Sequence, residues 1–278
     1  MAELYPPTDI ASTVKRALEE DIGGGDITAA LIPTDRNMTA TLITREAAIL
    51  CGIPWAQEVL EQLDSGINCL WSAADGDRVT RNQPLAKFSG NARSLLTAER
   101  TMLNFLQTLS GTATAAGRLR ELVAHTQVTL LDTRKTLPGL RSAQKYAVRA
   151  GGCENHRMGL YDAFLIKENH ISACGSIADA IAAARRLDGT KQVEIEVETL
   201  AQLLQAIEAG ADTVMLDNFD IGELKQAVQV CARRVKLEAS GGIDEDSLVS
   251  IAETGVDFIS VGALTKNCRA IDLSLRFD

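Results

Sequence analysis

The sequence predicts an α/β protein. An N-terminal α+β sandwich domain over residues 1–111, which residues 270–278 can join, precedes an incomplete α/β barrel of about six or seven parallel strands over residues 112–269. Three observations lead there. From residue 127 onward, short apolar strands alternate with amphipathic helices, as in a parallel sheet wound by helices. Before that point the elements follow no such alternation. The predicted strands of the second half end in charged, polar or glycine residues, and barrel enzymes build their sites at those carboxyl ends.

In the first half, a polar helical opening from residue 8 leads to a strand-like ATLITREAAIL (40–50) and a helical WAQEVLEQLD (55–64). Short strands follow, with turns at ADGD (74–77) and FSGN (88–91). ARSLLTAERTMLNFLQTLS (92–110) then reads as a long helix, because Leu95, Leu96, Met102, Leu103, Phe105, Leu106 and Leu109 recur in helical rhythm. In the second half the strands are VTLL, AFLIK, QVEIEVE, DTVML, VKLEA and DFISV, with helices such as IADAIAAARRL, LAQLLQAIEAG and DSLVSIAET between them. These six strands are too few to close a full barrel, so an incomplete one is expected, with a doubly wound open sheet as its competitor.

Bulk properties narrow the function classes. With 278 residues, 46% of them hydrophobic, the chain has ample material for a core and no signature of disorder. A formal net charge of −9 argues against nucleic acid as a partner, which calls for a basic face. The opening MAELYPPTDI lacks a basic start followed by an apolar core, and no apolar run approaches the roughly 20 residues that span a bilayer. A cytoplasmic protein with no membrane partner is expected. The six cysteines form no CxxC pair, which favours reduced, mostly buried thiols.

Against that acidic background, basic residues concentrate between 134 and 170, as a pocket for a small anion would require. Strand by strand, VTLL is followed by Asp132, Thr133, Arg134 and Lys135, AFLI by Lys167 and Glu168, and TVML by Asp217 and Asn218. VEIEVE supplies Glu196 and Glu198, VKLEA leads to Ser240, Gly241 and Gly242, and DFISV leads to Gly262. The late loops SGGI (240–243) and VGALT (261–265) offer backbone N–H groups near helix starts, which suits a phosphate, although glycines there also serve plain turn chemistry. Glu194, Glu196 and Glu198 share one face of their strand, so a glutamate turned into a barrel must be paired or hold a metal. With Asp217 at the end of the next strand as its natural partner, such a glutamate suits Mg²⁺, and internal ion pairs with Lys135 and Lys167 are the competing reading. Arg141, Lys145 and Arg149 recur every four residues and read as a solvated helix face, whereas His156 beside Arg157 in GGCENHR reads as a ligand contact.

TRKTLPGLR (133–141), KYAVRAGGCENHRMGLYDAFLIKENH (145–170), VEIEVET (193–199), ADTVMLDNF (211–219), SGGI and GVDFISVGALT (255–265) together resemble the quinolinate phosphoribosyltransferases. The resemblance extends to EDIGGGDITAALIP (20–33) and LLTAERTMLNFLQ (95–107), and it departs where the family usually has a third glycine and this chain has Cys153. It implies joining quinolinate to phosphoribosyl pyrophosphate, with release of pyrophosphate and carbon dioxide, to give nicotinate mononucleotide for NAD biosynthesis. It implies that Arg134, His156, Arg157 and Lys167 hold the quinolinate carboxylates, with Thr133 lining that site and Lys135 near the reacting centre. Glu196 and Asp217 would hold Mg²⁺-pyrophosphate, mainly through water, and support the ribose hydroxyls, while Ser240, Gly241, Gly242 and Gly262 would take the 5′-phosphate. Arg100 would reach into the site of a neighbouring subunit, making a homodimer the smallest competent unit. The competing functions are a phosphoribosyltransferase for another aromatic acid, a Schiff-base aldolase using Lys167 or Lys135, and a dicarboxylate-binding protein without catalysis.

Overall fold

The computed structural model describes residues 4–277. In chain order, α1 (Ile10–Ile22), β1 (Asn37–Thr44), β2 (Ala48–Ile49), α2 (Ile53–Asp64), β3 (Asn68–Trp71), β4 (Arg78–Val79) and β5 (Pro84–Asn91) precede the long α3 (Ala92–Leu122). Then come β6 (Thr129–Leu131), α4 (Arg141–Ala150), β7 (Phe164–Ile166), α5 (Glu168–Cys174), α6 (Ile177–Leu187), β8 (Val193–Val197), α7 (Leu200–Glu208) and β9 (Thr213–Asp217). The chain finishes with α8 (Ile221–Cys231), β10 (Lys236–Ser240), α9 (Glu245–Ala252), β11 (Phe258–Ser260), α10 (Ala263–Lys266) and β12 (Leu273–Phe277). The chain divides into two compact units. One runs to Arg118 and adds Thr136–Gly152 and the segment from Leu264, and the other comprises Leu119–Lys135 and Cys153–Ala263.

The first unit is built on an antiparallel sheet ordered β12-β1-β5-β3. Its strands bury alternate side chains such as Ala40 and Leu42 on β1 and their partners Phe88 and Ala86 on β5. Facing helices contribute Val14, Trp55, Val59, Leu95, Met102 and Leu106 to one continuous apolar core. Each fully buried Leu or Phe there contributes about 1.5–3 kcal/mol of transfer free energy. The expected turn FSGN instead continues β5, because Ser89, Gly90 and Asn91 pair with Thr39, Met38 and Asn37 of β1. A second correction concerns α4. Lys145 is only 1% exposed, and Arg141 and Arg149 are half-buried, so these cations form no solvated face. The helix is covered on both sides: Ala143, Tyr146 and Ala147 enter the apolar core, while buried Gln144 accepts the Leu137 N–H (2.7 Å) and donates to the Thr265 carbonyl (3.0 Å). The 111/112 division expected from sequence falls inside α3.

The second unit is the incomplete barrel. Its parallel strands run β6-β11-β10-β9-β8-β7, so consecutive strands pair everywhere except between β6 and β7. Beside the free edge of β6, Glu154 forms a single parallel bridge to Leu131, donating its N–H to Leu130 O (2.9 Å) and accepting from Asp132 N (3.2 Å). On β8, Val193, Ile195 and Val197 are all but inaccessible, as the strand's alternation requires. Side-chain caps fix where three of the covering helices begin: Ser176 accepts from Asp179 N, Thr199 from Gln202 N and Asp220 from Glu223 N.

Candidate active site

The carboxyl ends of the six parallel strands gather every expected site residue except Arg100 into the second unit. Beyond β6, the Thr133 hydroxyl accepts the Lys135 N–H at 3.1 Å. Across at the end of β11, a Cβ on Gly262 would lie 3.2 Å from Lys135 Cδ and 3.8 Å from Thr133 Oγ1, so glycine leaves room for the lysine there. Beyond β10, Gly241 has φ +103°, and a Cβ on it would stand 2.2 Å from Asn218 Oδ1. Any side chain there is strained by that backbone angle and must displace Asn218. Asn218, itself at φ 58°, donates from its backbone to Ser240 O (2.9 Å) and from its side chain to Asp217 Oδ2 (2.7 Å). The glycine loop is thereby tied to the carboxylate of the neighbouring strand.

The acidic part of the site lies on β8 and β9. Lys167 Nζ forms an ion pair with Glu196 Oε2, so Lys167 is one of the partners expected for this glutamate. Burial, and next the Glu196 carboxylate, raise the Asp217 pKa above its ordinary value, with Lys167 opposing the effect. Two neighbouring carboxylates of which one resists ionisation, all oxygen donors, fit a hard divalent cation.

The cationic part is the loop between α4 and β7. Buried Asp132, at the end of β6, accepts the His156 N–H (2.9 Å) and the Asn155 side-chain amide (2.6 Å). His156 Nδ1 accepts the Arg157 N–H at 2.8 Å, and its Nε2 lies 2.9 Å from Glu194 Oε2 and 3.7 Å from Glu238 Oε2. The Arg157 guanidinium reaches the Ala163 carbonyl at 3.4 Å, while its Nε is buried with no hydrogen-bond partner among the described residues. Burial, and next the charge of Arg134, lower its pKa. Both costs are relieved when an anion arrives between the two arginines. Cys153 replaces a family glycine without strain: Gly152 holds the left-handed turn at φ 87°, whereas Cys153 lies outside that region and is 2% exposed.

His170 accepts the Lys167 N–H on Nδ1 at 3.0 Å, a local capping contact. Glu238 escaped attention in the sequence, although a carboxylate inside the apolar strand VKLEA is the kind of buried charge that requires a partner. In the structure it is 1% exposed, and burial followed by the Glu194 carboxylate pushes its pKa well up. Arg100 stands in the first unit, exposed on α3, where it shares a cavity of about 350 Å³ with Asp21, Gly25, Asp26, Ile27 and Thr97. The EDIGGGDIT segment and the long helix, separate in sequence, meet there.

A parallel, incomplete α/β barrel that sets arginines, paired carboxylates and glycine loops around its carboxyl ends defines an enzyme-type site for a polyanionic substrate. The models of the quinolinate phosphoribosyl transferase N-terminal and C-terminal domains match residues 26–110 and 112–276. The chain is 41% identical over 257 residues to a probable nicotinate-nucleotide pyrophosphorylase (carboxylating) of Bacillus subtilis, covering 92% of this chain and 89% of that protein. It is 42% identical over 270 residues to the Mycobacterium leprae nicotinate-nucleotide pyrophosphorylase (carboxylating), covering 95% of each. The solved nicotinate-nucleotide pyrophosphorylase of Francisella tularensis superposes with a TM-score of 0.96 at 54% identity, covering 99% of this chain and 98% of that one. The chain belongs to the quinolinate phosphoribosyltransferase family.

Proposed function

We propose that this protein transfers the phosphoribosyl group of phosphoribosyl pyrophosphate to quinolinate with decarboxylation, giving nicotinate mononucleotide, pyrophosphate and carbon dioxide in NAD biosynthesis. Family membership over nearly the whole chain supports the reaction. The observation that carries it in the geometry is the buried, unpartnered Nε of Arg157 beside Arg134, a site that calls for a carboxylate. Arg134, Arg157 and Lys167 bind the two substrate carboxylates, with Thr133 and His156 shaping that wall. Ser240, Gly241, Gly242 and Gly262 receive the 5′-phosphate on backbone N–H groups.

Glu196 and Asp217 are the residues that would hold Mg²⁺, through water, beside the ribose hydroxyls. Bound there, the ion would neutralise charge on the pyrophosphate. Lys135, packed along Gly262, stabilises negative charge close to the reacting carbon. As the C1–pyrophosphate bond breaks, the pyridine nitrogen forms the new bond to C1. Loss of carbon dioxide then leaves an electron pair at ring C2 that the adjacent pyridinium accommodates until a proton replaces the carboxyl. Arg100 completes the site from a second subunit, so the working unit is a homodimer in the cytoplasm. Among the described residues no helix is long and apolar enough to cross a membrane.

Purified protein supplied with Mg²⁺ and phosphoribosyl pyrophosphate is expected to release pyrophosphate and carbon dioxide in equal amounts with quinolinate and neither with nicotinate. Turnover of nicotinate instead, or pyrophosphate without carbon dioxide, refutes the assignment.

A further inference from the structure

His156 is tied down on every polar atom of its ring. Nδ1 accepts the N–H of Arg157 at 2.8 Å, and a ring nitrogen that accepts carries no proton. A ring proton therefore sits on Nε2, which faces Glu194 Oε2 2.9 Å away, with Glu238 Oε2 behind it at 3.7 Å. The imidazole side chain is 10% exposed, Glu194 and Glu238 are buried, and the same residue's backbone N–H is held by Asp132. The loop is thus anchored to β6 by Asp132 and to β8 by Glu194, with Glu238 of β10 close behind, and both ring nitrogens already face partners within the protein.

We propose that Glu194 and His156 are positioning residues for Arg157: Glu194 fixes the Nε2–H tautomer of His156, and His156 Nδ1 fixes the backbone from which the Arg157 guanidinium is aimed. This inference rests on the transferase reading for its substrate and revises the role of the histidine within it. Quinolinate is met by the guanidinium, and the imidazole stands one layer behind. The orphaned Arg157 Nε is the donor that this arrangement presents.

The chain has only three histidines, so long-range proton–nitrogen spectra of the ¹⁵N-histidine-labelled protein resolve them, with His125→Gln and His170→Gln assigning the other two. The expected result is a neutral Nε2–H tautomer for His156 that persists when quinolinate saturates the enzyme. An Nδ1–H tautomer, protonation of the ring on quinolinate binding, or a metal bound at Nε2 overturns the proposal. In kinetics, Glu194→Leu is expected to raise the KM for quinolinate about tenfold while leaving that for phosphoribosyl pyrophosphate within about twofold, and Glu194→Gln, which keeps an acceptor for Nε2–H, to restore it. Equal changes in both KM values, or a glutamine no better than leucine, would show a merely structural role. If the leucine variant does not fold, the tautomer measurement on the unaltered protein still decides. Turnover of quinolinate by the unaltered protein tests the transferase reading separately.

Discussion

At the residue scale, charge and burial assign different work to residues that look alike in the sequence. Arg134→Ala and Lys135→Ala are each expected to lower turnover by at least about a hundredfold with an unchanged circular dichroism spectrum, since both act at the open ends of strands. Near-normal turnover in both would remove them from the chemistry. Glu238 makes a prediction of another kind. Its pKa in the folded protein stands above the ordinary 4.5, so its contribution to stability is full below that value and is lost as pH rises through the raised one. Glu238→Gln removes that loss. Its Tm relative to the unaltered protein is therefore expected to climb as pH rises above the ordinary 4.5 and to level off only above the raised value, and a pH-independent difference would contradict the assignment. Strand-end residues such as Lys167, Glu196 and Asp217 are legible in sequence because each follows an apolar run. Glu238 inside the apolar VKLEA signals a buried carboxylate, but which partner it meets depends on the strands beside it.

At the element scale, the helices and parallel strands follow their hydrophobic periods, and the corrections arise where neighbours override local pattern. The SGN of FSGN reads as a turn by composition, yet β1 supplies a full set of partners and the strand continues. The cations of α4 have the spacing of a solvated face, but Lys145 is covered because this helix is packed on both sides. The glycine loop after β10 shows the reverse case, in which local chemistry decides. Gly241→Ala places a methyl on Asn218 Oδ1 at a φ of +103°, and it is expected to raise the KM for phosphoribosyl pyrophosphate at least about tenfold with a smaller effect on that for quinolinate. A Gly241→Ala enzyme with an unchanged KM for phosphoribosyl pyrophosphate would remove this loop from the phosphate site.

At the scale of the whole molecule, the proposed homodimer can be tested by complementation. Arg100→Ala and Lys135→Ala homodimers are each expected to be nearly inactive, whereas random mixing through refolding recovers about one quarter of full activity, because half the dimers then hold one intact site. No recovery would place Arg100 in its own subunit's site or in none. Thiol accessibility tests the packing. Cys174 is exposed, whereas Cys51, Cys153 and Cys231 are buried, and burial pushes Cys153 up to about 12. A thiol reagent is expected to modify Cys174 in a fast phase that Cys174→Ser abolishes, and Cys153 only on unfolding. By itself the sequence determined the α/β class, the order of strands and helices, and the residue types at each strand end, because hydrophobic period and turn chemistry are properties of consecutive residues. Only the tertiary structure decided that the barrel opens between β6 and β7, that Lys167 takes Glu196, that Lys145 is buried, and that Glu194 and Glu238 converge behind His156. Each of these depends on residues far apart in the chain coming within a few ångströms of one another, and that is set by how strands pair and helices pack.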